Sequence, residues 1–202
     1  MKLYVTVIGS AVALITLANL AGGTASWYGA LALTLGCTAA QFALDGILAA
    51  LVHRLPNRCF AVESPWYRVS KREQRLYNAL RVRKWKDAVW ELGGLGGFSK
   101  KNLIDPTDRA YIEQFIVECH KGVLTHRLSY FVGFLPMLCV PAPLALTVAL
   151  PVATVNLILN VLPTIVLRHN TPKLLAVWRR MDRVSRQTFP PAGERGEGIE
   201  VP

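Results

Sequence analysis

Two long stretches without charge dominate this chain of 202 residues. No charged side chain occurs from Leu3 to Leu44 or from Leu128 to Leu167, although the protein carries a formal net charge of +10. A helix needs about 20 apolar residues to cross a bilayer core of about 30 Å, so each stretch is long enough for two crossings. Unpaired backbone groups are costly in lipid, and both stretches are therefore predicted to be helical.

Small residues and prolines divide each stretch in two. Residues 21–26 are small and flexible, and the side chains of Trp27 and Tyr28, which follow, are typical of a membrane interface. Pro141 and Pro143 disfavour a continuous helix through the second stretch. The sequence thus predicts an all-α integral membrane protein with four transmembrane helices. Their predicted bounds are about 3–21, 27–52, 127–141 and 144–167.

The distribution of Lys and Arg predicts the orientation of these helices. The links at 21–26 and 140–143 contain neither residue, whereas segment 53–127 contains 15 of them against 8 acids. The tail from 168 to 202 contains 7 against 4. By the positive-inside rule, both termini and the basic loop between the second and third spans are predicted to face the cytoplasm. The chain is accordingly expected to be a multi-pass protein of the cell membrane.

One membrane domain is predicted for residues 1–182, with the cytoplasmic loop at 53–126. Residues 183–202 are predicted to be a disordered tail. A signal peptide cleaved near Ala25 is the alternative for the first span, although the apolar stretch is long for a signal and another span follows it at once.

The first part of the loop has a helical pattern. From Ser70 to Glu91, apolar residues recur at helical spacing among basic ones, and Ser70 followed by Glu73 resembles a capping box. This pattern predicts a basic amphipathic helix on the membrane surface. The glycine run at 93–97 then predicts a hinge rather than a phosphate loop, because no Gly-Lys-Ser/Thr follows it.

A second loop helix is predicted to begin at Asp105 and Pro106, which suit the cap and the first turn. It is expected to run through Glu118 and His126 into the third span. Glu118 and His126 are eight residues apart, which is about 12 Å along a helix, so they cannot touch each other directly.

Three kinds of polar residue near the cytoplasmic boundary are candidates for chemistry. Asp45 lies inside the second span, where a carboxylate is costly unless paired, so it is either functional or a charge that reaches toward the helix end. Asn156 and Asn160 share a helix face, with interhelical hydrogen bonding as the alternative to function. His126 can accept a hydroxyl proton near neutral pH, or it is an interfacial histidine without a catalytic role.

Three motifs extend this pattern. The first is Val82-Arg-Lys-Trp-Lys86 in the loop, and the second is Ile112-Glu-Gln-Phe-Ile-Val-Glu118, continuing to His126. The third comprises Asn160, Pro163, Arg168-His-Asn170 and Pro172-Lys-Leu174. Over roughly residues 75–180, their order and spacing resemble the glycosyl-4,4'-diaponeurosporenoate acyltransferase family, whose members complete staphyloxanthin-type glycolipids. The chain differs from the family pattern at Val123, where members can carry an acid, and at His169, where Tyr is usual.

The resemblance implies transfer of a fatty acyl group to a sugar hydroxyl of a membrane glycolipid, possibly a glycosylated carotenoid. It implies a catalytic group of His126, Glu118 and Arg168, in which His126 is the general base and Glu118 orients a partner or the substrate. Arg168, with Asn160 and Asn170, would stabilise the oxyanion. Substrate binding is further predicted for Asp45, from its place inside the second span, and for the first motif together with the residue before it, which we call the basic motif. These residues are Arg81, Arg83, Lys84, Trp85 and Lys86.

The expected partners are therefore a glycolipid acceptor and an acyl donor, with acyl-CoA as co-substrate and neither cofactor nor metal. The basic motif would bind the phosphates of the donor, and binding of anionic lipid is the alternative for it. A small membrane methyltransferase and a non-catalytic subunit of a lipid-modifying complex remain alternatives for the whole chain. Nucleic-acid binding is not expected, because the positive charge follows the membrane topology and no binding motif is present.

Overall fold

The computed structural model describes residues 2–89 and 107–188, with side chains described through Val184. All regular secondary structure in these two segments is helical, and neither contains a strand. This confirms the all-α prediction for the described part of the chain.

The first charge-free stretch forms two helices, α1 (Lys2–Ala21) and α2 (Trp27–Arg54). The predicted break at 21–26 is confirmed: Gly23 has a φ of +65°, which a residue with a side chain rarely adopts, and Ser26 caps α2. Asn19 is buried beside the turn, where its amide donates to the carbonyl of Thr147 at 2.9 Å. That bond attaches the end of α1 to the start of the last helical region.

The loop folds as short helices rather than as one long one. α3 (Lys71–Ala79) is capped as predicted, because the Ser70 hydroxyl accepts a hydrogen bond from the Glu73 amide at 3.1 Å. Arg81 then adopts a left-handed conformation with a φ of +50° and separates α3 from α4 (Val82–Trp85). The continuous helix predicted from Ser70 to Glu91 is therefore wrong. The predicted glycine hinge at 93–97 lies outside the described residues. The described part of the loop also contains three 3-10 turns, at Asn57–Phe60, Pro65–Tyr67 and Lys86–Ala88.

The second loop helix, α5 (Arg109–Val132), passes through Glu118 and His126 as predicted. Asp108 caps it by accepting from the Ala110 amide at 2.8 Å; the cap predicted at Asp105 and Pro106 lies outside the described residues. A 3-10 turn at Leu135–Cys139 follows, so only the first part of the segment predicted as the third span is α-helical.

The last helical region begins with α6 (Ala142–Leu144), continues through a π turn at Ala145–Ala149 and extends as α7 (Leu150–Thr188). Pro163 and Pro172 lie inside α7 without ending it. The helix extends beyond the predicted span end at 167 and into the segment predicted to be a disordered tail; residues 189–202 lie outside the described part.

Within the described residues, three helical segments are long and apolar enough to cross a membrane: Lys2–Ala21, Trp27–Arg54 and Ala142–Val184. α5 is not among them, since it carries charged residues such as Glu118, Lys121 and Arg127. Several long apolar helices thus indicate a membrane protein, and the count of four spans stays a prediction.

α5 packs chiefly on α7, and this pair forms the centre of the fold. On the half of the pair nearer the loop, Ile112, Ile116 and Cys119 of α5 belong to one buried cluster with Leu167 and Leu174 of α7. A second cluster places Val69, Tyr77, Val82 and Val89 of the loop against Val166 of α7. The loop is therefore held against the same helix that supplies Asn160 and Arg168.

Candidate active site

A short polar contact between α5 and α7 joins His126 to Asn160. Nδ1 of His126 lies 2.8 Å from Oδ1 of Asn160, which is 7% exposed. The amide Nδ2 of Asn160 faces three oxygen acceptors, which fixes Oδ1 as the atom turned to the imidazole. Nδ1 of His126 must then donate, and in the neutral ring the lone pair is on Nε2. Asn160 thus orients His126, a task that Val123 cannot perform.

Asp45 joins this contact from α2. Its Oδ2 accepts from Nδ2 of Asn160 at 3.3 Å, so a carboxylate, an amide and an imidazole follow one another across three helices. Its other oxygen, Oδ1, is buried without a hydrogen-bond partner among the described residues. Asp45 is therefore part of the polar cluster rather than a charge extended toward the helix end.

Gln41 and Asn156 complete the cluster, which we call the His126 cluster: Gln41, Asp45, His126, Asn156 and Asn160. The side chain of Asn156 accepts from Asn160 at 3.2 Å, and Gln41 donates to the carbonyl of Gly133 at 2.9 Å. A Cβ on Gly133 would lie 2.8 Å from Nδ2 of Asn156, so only glycine allows this approach. Our sequence reasoning missed Gln41 and Gly133, although Gln41 precedes Asp45 by four residues on the same face of α2.

Glu118 belongs to a different cluster. Its carboxylate lies 3.2 Å from Nζ of Lys121 and 3.3 Å from Nε2 of His53, and both Glu118 and Lys121 are buried. Nδ1 of His53 lies 3.0 Å from the carbonyl of Ala49. Glu118 thus pairs with Lys121 and contacts His53, and it does not contact His126.

Arg168 pairs with a carboxylate of the loop. Its Nε and Nη2 contact the two oxygens of Glu73, with Nη2 at 2.7 Å, and Nη2 also donates to the carbonyl of Arg68 at 3.2 Å. Burial raises the pKa of Glu73, but the hydrogen bonds and charge of Arg168, with a hydrogen bond from Tyr77, bring it below its usual value. Burial and the adjacent Glu73 raise the pKa of Tyr77 to about 12. Arg168 therefore anchors the loop to α7.

The three residues predicted to be catalytic, His126, Glu118 and Arg168, do not lie at the same height along the pair of helices α5 and α7. Glu118 precedes His126 by eight residues on α5, and Arg168 follows Asn160 by eight on α7. Eight residues correspond to about 12 Å along a helix. Because His126 contacts Asn160, both Glu118 and Arg168 lie on the loop side of that contact. Glu118 and Arg168 thus lie in a layer about 12 Å from His126.

His120 is a buried group in that second layer. It is 1% exposed, its ring stacks on Tyr67 at a centroid distance of 4.2 Å, and its Nδ1 lies 3.1 Å from the carbonyl of Phe60. Burial lowers its pKa, so the ring is neutral at pH 7. Its sequence position next to Cys119 gave no sign of this stacking partner.

The basic motif lies on α4 and its flanks. Arg81, Arg83 and Lys84 are exposed, whereas Lys86 is half-buried and pairs with Asp87 at 3.6 Å. Trp85 donates to the carbonyl of Leu80 at 3.0 Å and packs in the cluster that holds the loop on α7. Three cations therefore remain accessible to an anion.

Asn170 lies half-buried on α7, ten residues after Asn160 and about 15 Å farther along the helix. It is therefore not part of the His126 cluster. In the described segments, no three His, Cys, Asp or Glu side chains are placed to hold a metal ion.

Fold and site together define a helical membrane protein with a histidine-centred polar cluster at the junction of three helices. A family model described as CrtO, glycosyl-4,4'-diaponeurosporenoate acyltransferase, matches residues 63–180, more than half of the chain. The chain belongs to this family, which confirms the resemblance carried by the three motifs and assigns it to the acyltransferases. No curated protein and no solved structure matches the chain significantly.

Proposed function

We propose that this protein is an O-acyltransferase of the cell membrane that moves a fatty acyl group from acyl-CoA to a sugar hydroxyl of a membrane glycolipid. Family membership supports the acyltransferase class. His126 is assigned as the base because its Nδ1 lies 2.8 Å from Asn160, which in turn donates a hydrogen bond to Asp45. This contact holds the imidazole in the tautomer that a general base requires.

In the proposed reaction, the sugar hydroxyl oxygen attacks the thioester carbonyl carbon while Nε2 of His126 takes the hydroxyl proton. A C–O bond forms, the tetrahedral intermediate collapses, and the C–S bond breaks. The leaving thiolate of CoA then takes the proton from His126. Asp45, acting through Asn160, would favour the positive charge that the imidazole carries between these two steps.

Glu118 and Arg168, in the layer nearer the loop, are proposed to position the helices rather than to take part in the reaction. Glu118 is paired with Lys121 and His53, and Arg168 is paired with Glu73, so their charges are already compensated within the protein. Each pair joins two elements: Glu118 links α5 to the end of α2, and Arg168 links α7 to α3. Both residues would therefore affect activity through the arrangement of the helices around His126.

We further propose four spans, with residues 127–141 as the third, and a cytoplasmic loop and termini. The excess of Lys and Arg in the loop supports this orientation. It places the exposed Arg81, Arg83 and Lys84 on the side where acyl-CoA is available, and their guanidinium and ammonium groups suit its phosphates. Asn170 would contribute to the same cytoplasmic side of the site.

The test is transfer of a labelled acyl group by purified protein in lipid nanodiscs that contain a glycolipid with a free sugar hydroxyl. Wild type, His126→Gln, Asn160→Ala and the control Thr154→Ala are compared; Thr154 is exposed on α7 and bonds only within its own helix at 2.9 Å. We expect acylated glycolipid and free CoA from wild type and control, and a loss of about 10²- to 10⁴-fold in His126→Gln. Equal rates in all four proteins would remove His126 as the base. Absence of product in every protein, with several glycolipids offered, would favour a non-catalytic subunit.

A further inference from the structure

An apolar groove lies between α1, α2 and α7, on the membrane side of the His126 cluster. Its cavity volume is about 30 Å³, and the wider space between its walls, including the part that is open to the surroundings, is about 350 Å³. Its walls are mostly aliphatic and include Ile8, Ala11, Ile15, Val152 and Leu159, with Phe42 at one edge. All three helices contribute segments without charge that are apolar enough to cross a membrane. The groove therefore lies within the predicted hydrocarbon region.

One end of this groove is continuous with the candidate active site. Gln41 and Asn156 line it and also belong to the His126 cluster. Asn156 precedes Asn160 by one helical turn, and its Nδ2 is buried without a hydrogen-bond partner in the described segments. Elsewhere the groove has one other polar group, Thr38, whose hydroxyl donates within its own helix to Thr34.

The direction of the groove follows from the contacts between α1 and α7. Tyr4 contacts the carbonyl of Leu159, and Asn19 contacts that of Thr147, so the two helices run antiparallel. The lining from Leu159 to Val152 covers eight residues, or about 10 Å along the helix, leading from the site toward the far side of the membrane. Phe42, at its edge, is 50% exposed, which leaves the groove open sideways to lipid.

We propose that this groove binds the fatty acyl chain of the donor and thereby sets the position of the thioester carbonyl at His126. This inference rests on the proposed function and specifies how that site holds its donor. The aliphatic walls exclude a sugar or a nucleotide, whereas the exposed cations of the loop suit phosphates on the opposite side of the site. A molecule with a hydrocarbon chain at one end and phosphates at the other matches both features. The groove is shorter than an extended long-chain acyl group, so the distal part of the chain continues into lipid.

Filling the groove tests this. Ala11→Phe places a ring in the lining, and Ala13→Phe makes the same change two residues away on the exposed side of α1. For a long-chain acyl-CoA we expect kcat/KM to fall at least about tenfold in Ala11→Phe relative to a short-chain acyl-CoA, because a displaced chain moves the carbonyl away from His126. Ala13→Phe should retain the wild-type ratio. An unchanged ratio in a folded Ala11→Phe protein would overturn the proposal.

A second readout does not require turnover. Palmitoyl-CoA with a mid-chain diazirine is photolysed with the protein in nanodiscs, and labelled peptides are identified by mass spectrometry. We expect labels at 8–15 and 152–159 that unlabelled palmitoyl-CoA competes away and that Ala11→Phe removes. Labels competed by the glycolipid acceptor but not by palmitoyl-CoA would assign the groove to the acceptor and refute the inference. Labels spread over all lipid-facing surfaces without competition would also refute it. If labelling is as expected but no glycolipid is acylated, the proposed function fails and the binding of the acyl chain stands.

Discussion

Removal of the Arg168–Glu73 pair separates a positioning role for Arg168 from a catalytic one. The two side chains are 7% and 22% exposed, and the guanidinium contacts both carboxylate oxygens. Removing one partner of a buried pair leaves a charge without compensation, at a cost of about 3 to 5 kcal/mol. We therefore expect Arg168→Met and Glu73→Met each to lower the Tm of the protein in detergent by about 6 to 12 °C or more, since about 1 kcal/mol corresponds to about 2 to 4 °C at this chain length.

The double variant distinguishes the two roles. With both charges gone, methionines of similar length fill the space, so most of the lost stability should return. A residual loss of about 1 to 2 kcal/mol is expected, because the carbonyl of Arg68 loses its hydrogen bond from Arg168 and the Tyr77 hydroxyl loses its acceptor on Glu73. Activity per folded molecule should then return to within a few-fold of wild type. An oxyanion donor would behave differently, since its removal costs about 10²- to 10³-fold in kcat whether or not the fold recovers.

The control is the exposed pair between Arg179 and Glu63, whose nitrogen and oxygen lie 3.0 Å apart with both side chains 58% exposed. Arg179→Met should change Tm very little, as solvent screens such pairs. Thermal unfolding by intrinsic fluorescence and acyl transfer at a temperature below every Tm supply the two measurements. If Arg168→Met unfolds like wild type while the double variant stays inactive, Arg168 is catalytic and our interpretation of the ion pair is refuted.

Three further predictions concern His120, Gly133 and Asp45. Burial lowers the pKa of His120 below 6.5, so as pH falls the imidazole is protonated in the unfolded chain before it is protonated in the folded one. The free energy of unfolding should therefore decrease below about pH 6.5. Chemical denaturation should show a smaller decrease for His120→Gln than for wild type. Gly133→Ala should cost about 1 to 3 kcal/mol, because its Cβ would lie 2.8 Å from the Asn156 amide, and adding Asn156→Ala should restore the Tm if that contact is the cause. Asp45→Asn keeps an acceptor for Asn160 but removes the charge, so kcat should fall about tenfold or more while Tm is retained or raised. An unchanged kcat would show that the charge of Asp45 does not act on His126.

The sequence predicted the helical elements well where charge and capping set them. The charge-free stretch before Asp45 and the small residues at 21–26 predicted α1 and α2, and Ser70 predicted the start of α3. Arg81 was not predictable as a helix breaker, because its left-handed backbone results from the packing of α3 and α4 on α7 and not from a glycine or a proline.

The site was predicted in part. His126, Asn160 and Asp45 were selected individually, as an imidazole, an amide and a carboxylate near one membrane boundary, and the structure brings them together. Their connectivity was not predictable, since it depends on which faces of α2, α5 and α7 meet. The same limit applied to Glu118, whose partner His53 is 65 positions away and half-exposed.

The two polar layers of the helix pair explain how one fold can hold a charged region and an apolar substrate side by side. Ion pairs such as Arg168 with Glu73 lie toward the loop, where water reduces the cost of charge. About 12 Å farther from the loop, the His126 cluster contains one carboxylate, one imidazole and three neutral amides, and a mostly aliphatic groove continues from Asn156. A general base that accepts a proton and releases it again carries a positive charge for a short time. In the His126 cluster, the carboxylate of Asp45 supplies the one negative charge that stabilises it. A second fixed cation in the same layer would oppose protonation of His126. We therefore expect Gln41→Lys, which would introduce one beside Gly133, to abolish transfer, whereas the neutral Gln41→Met should retain it.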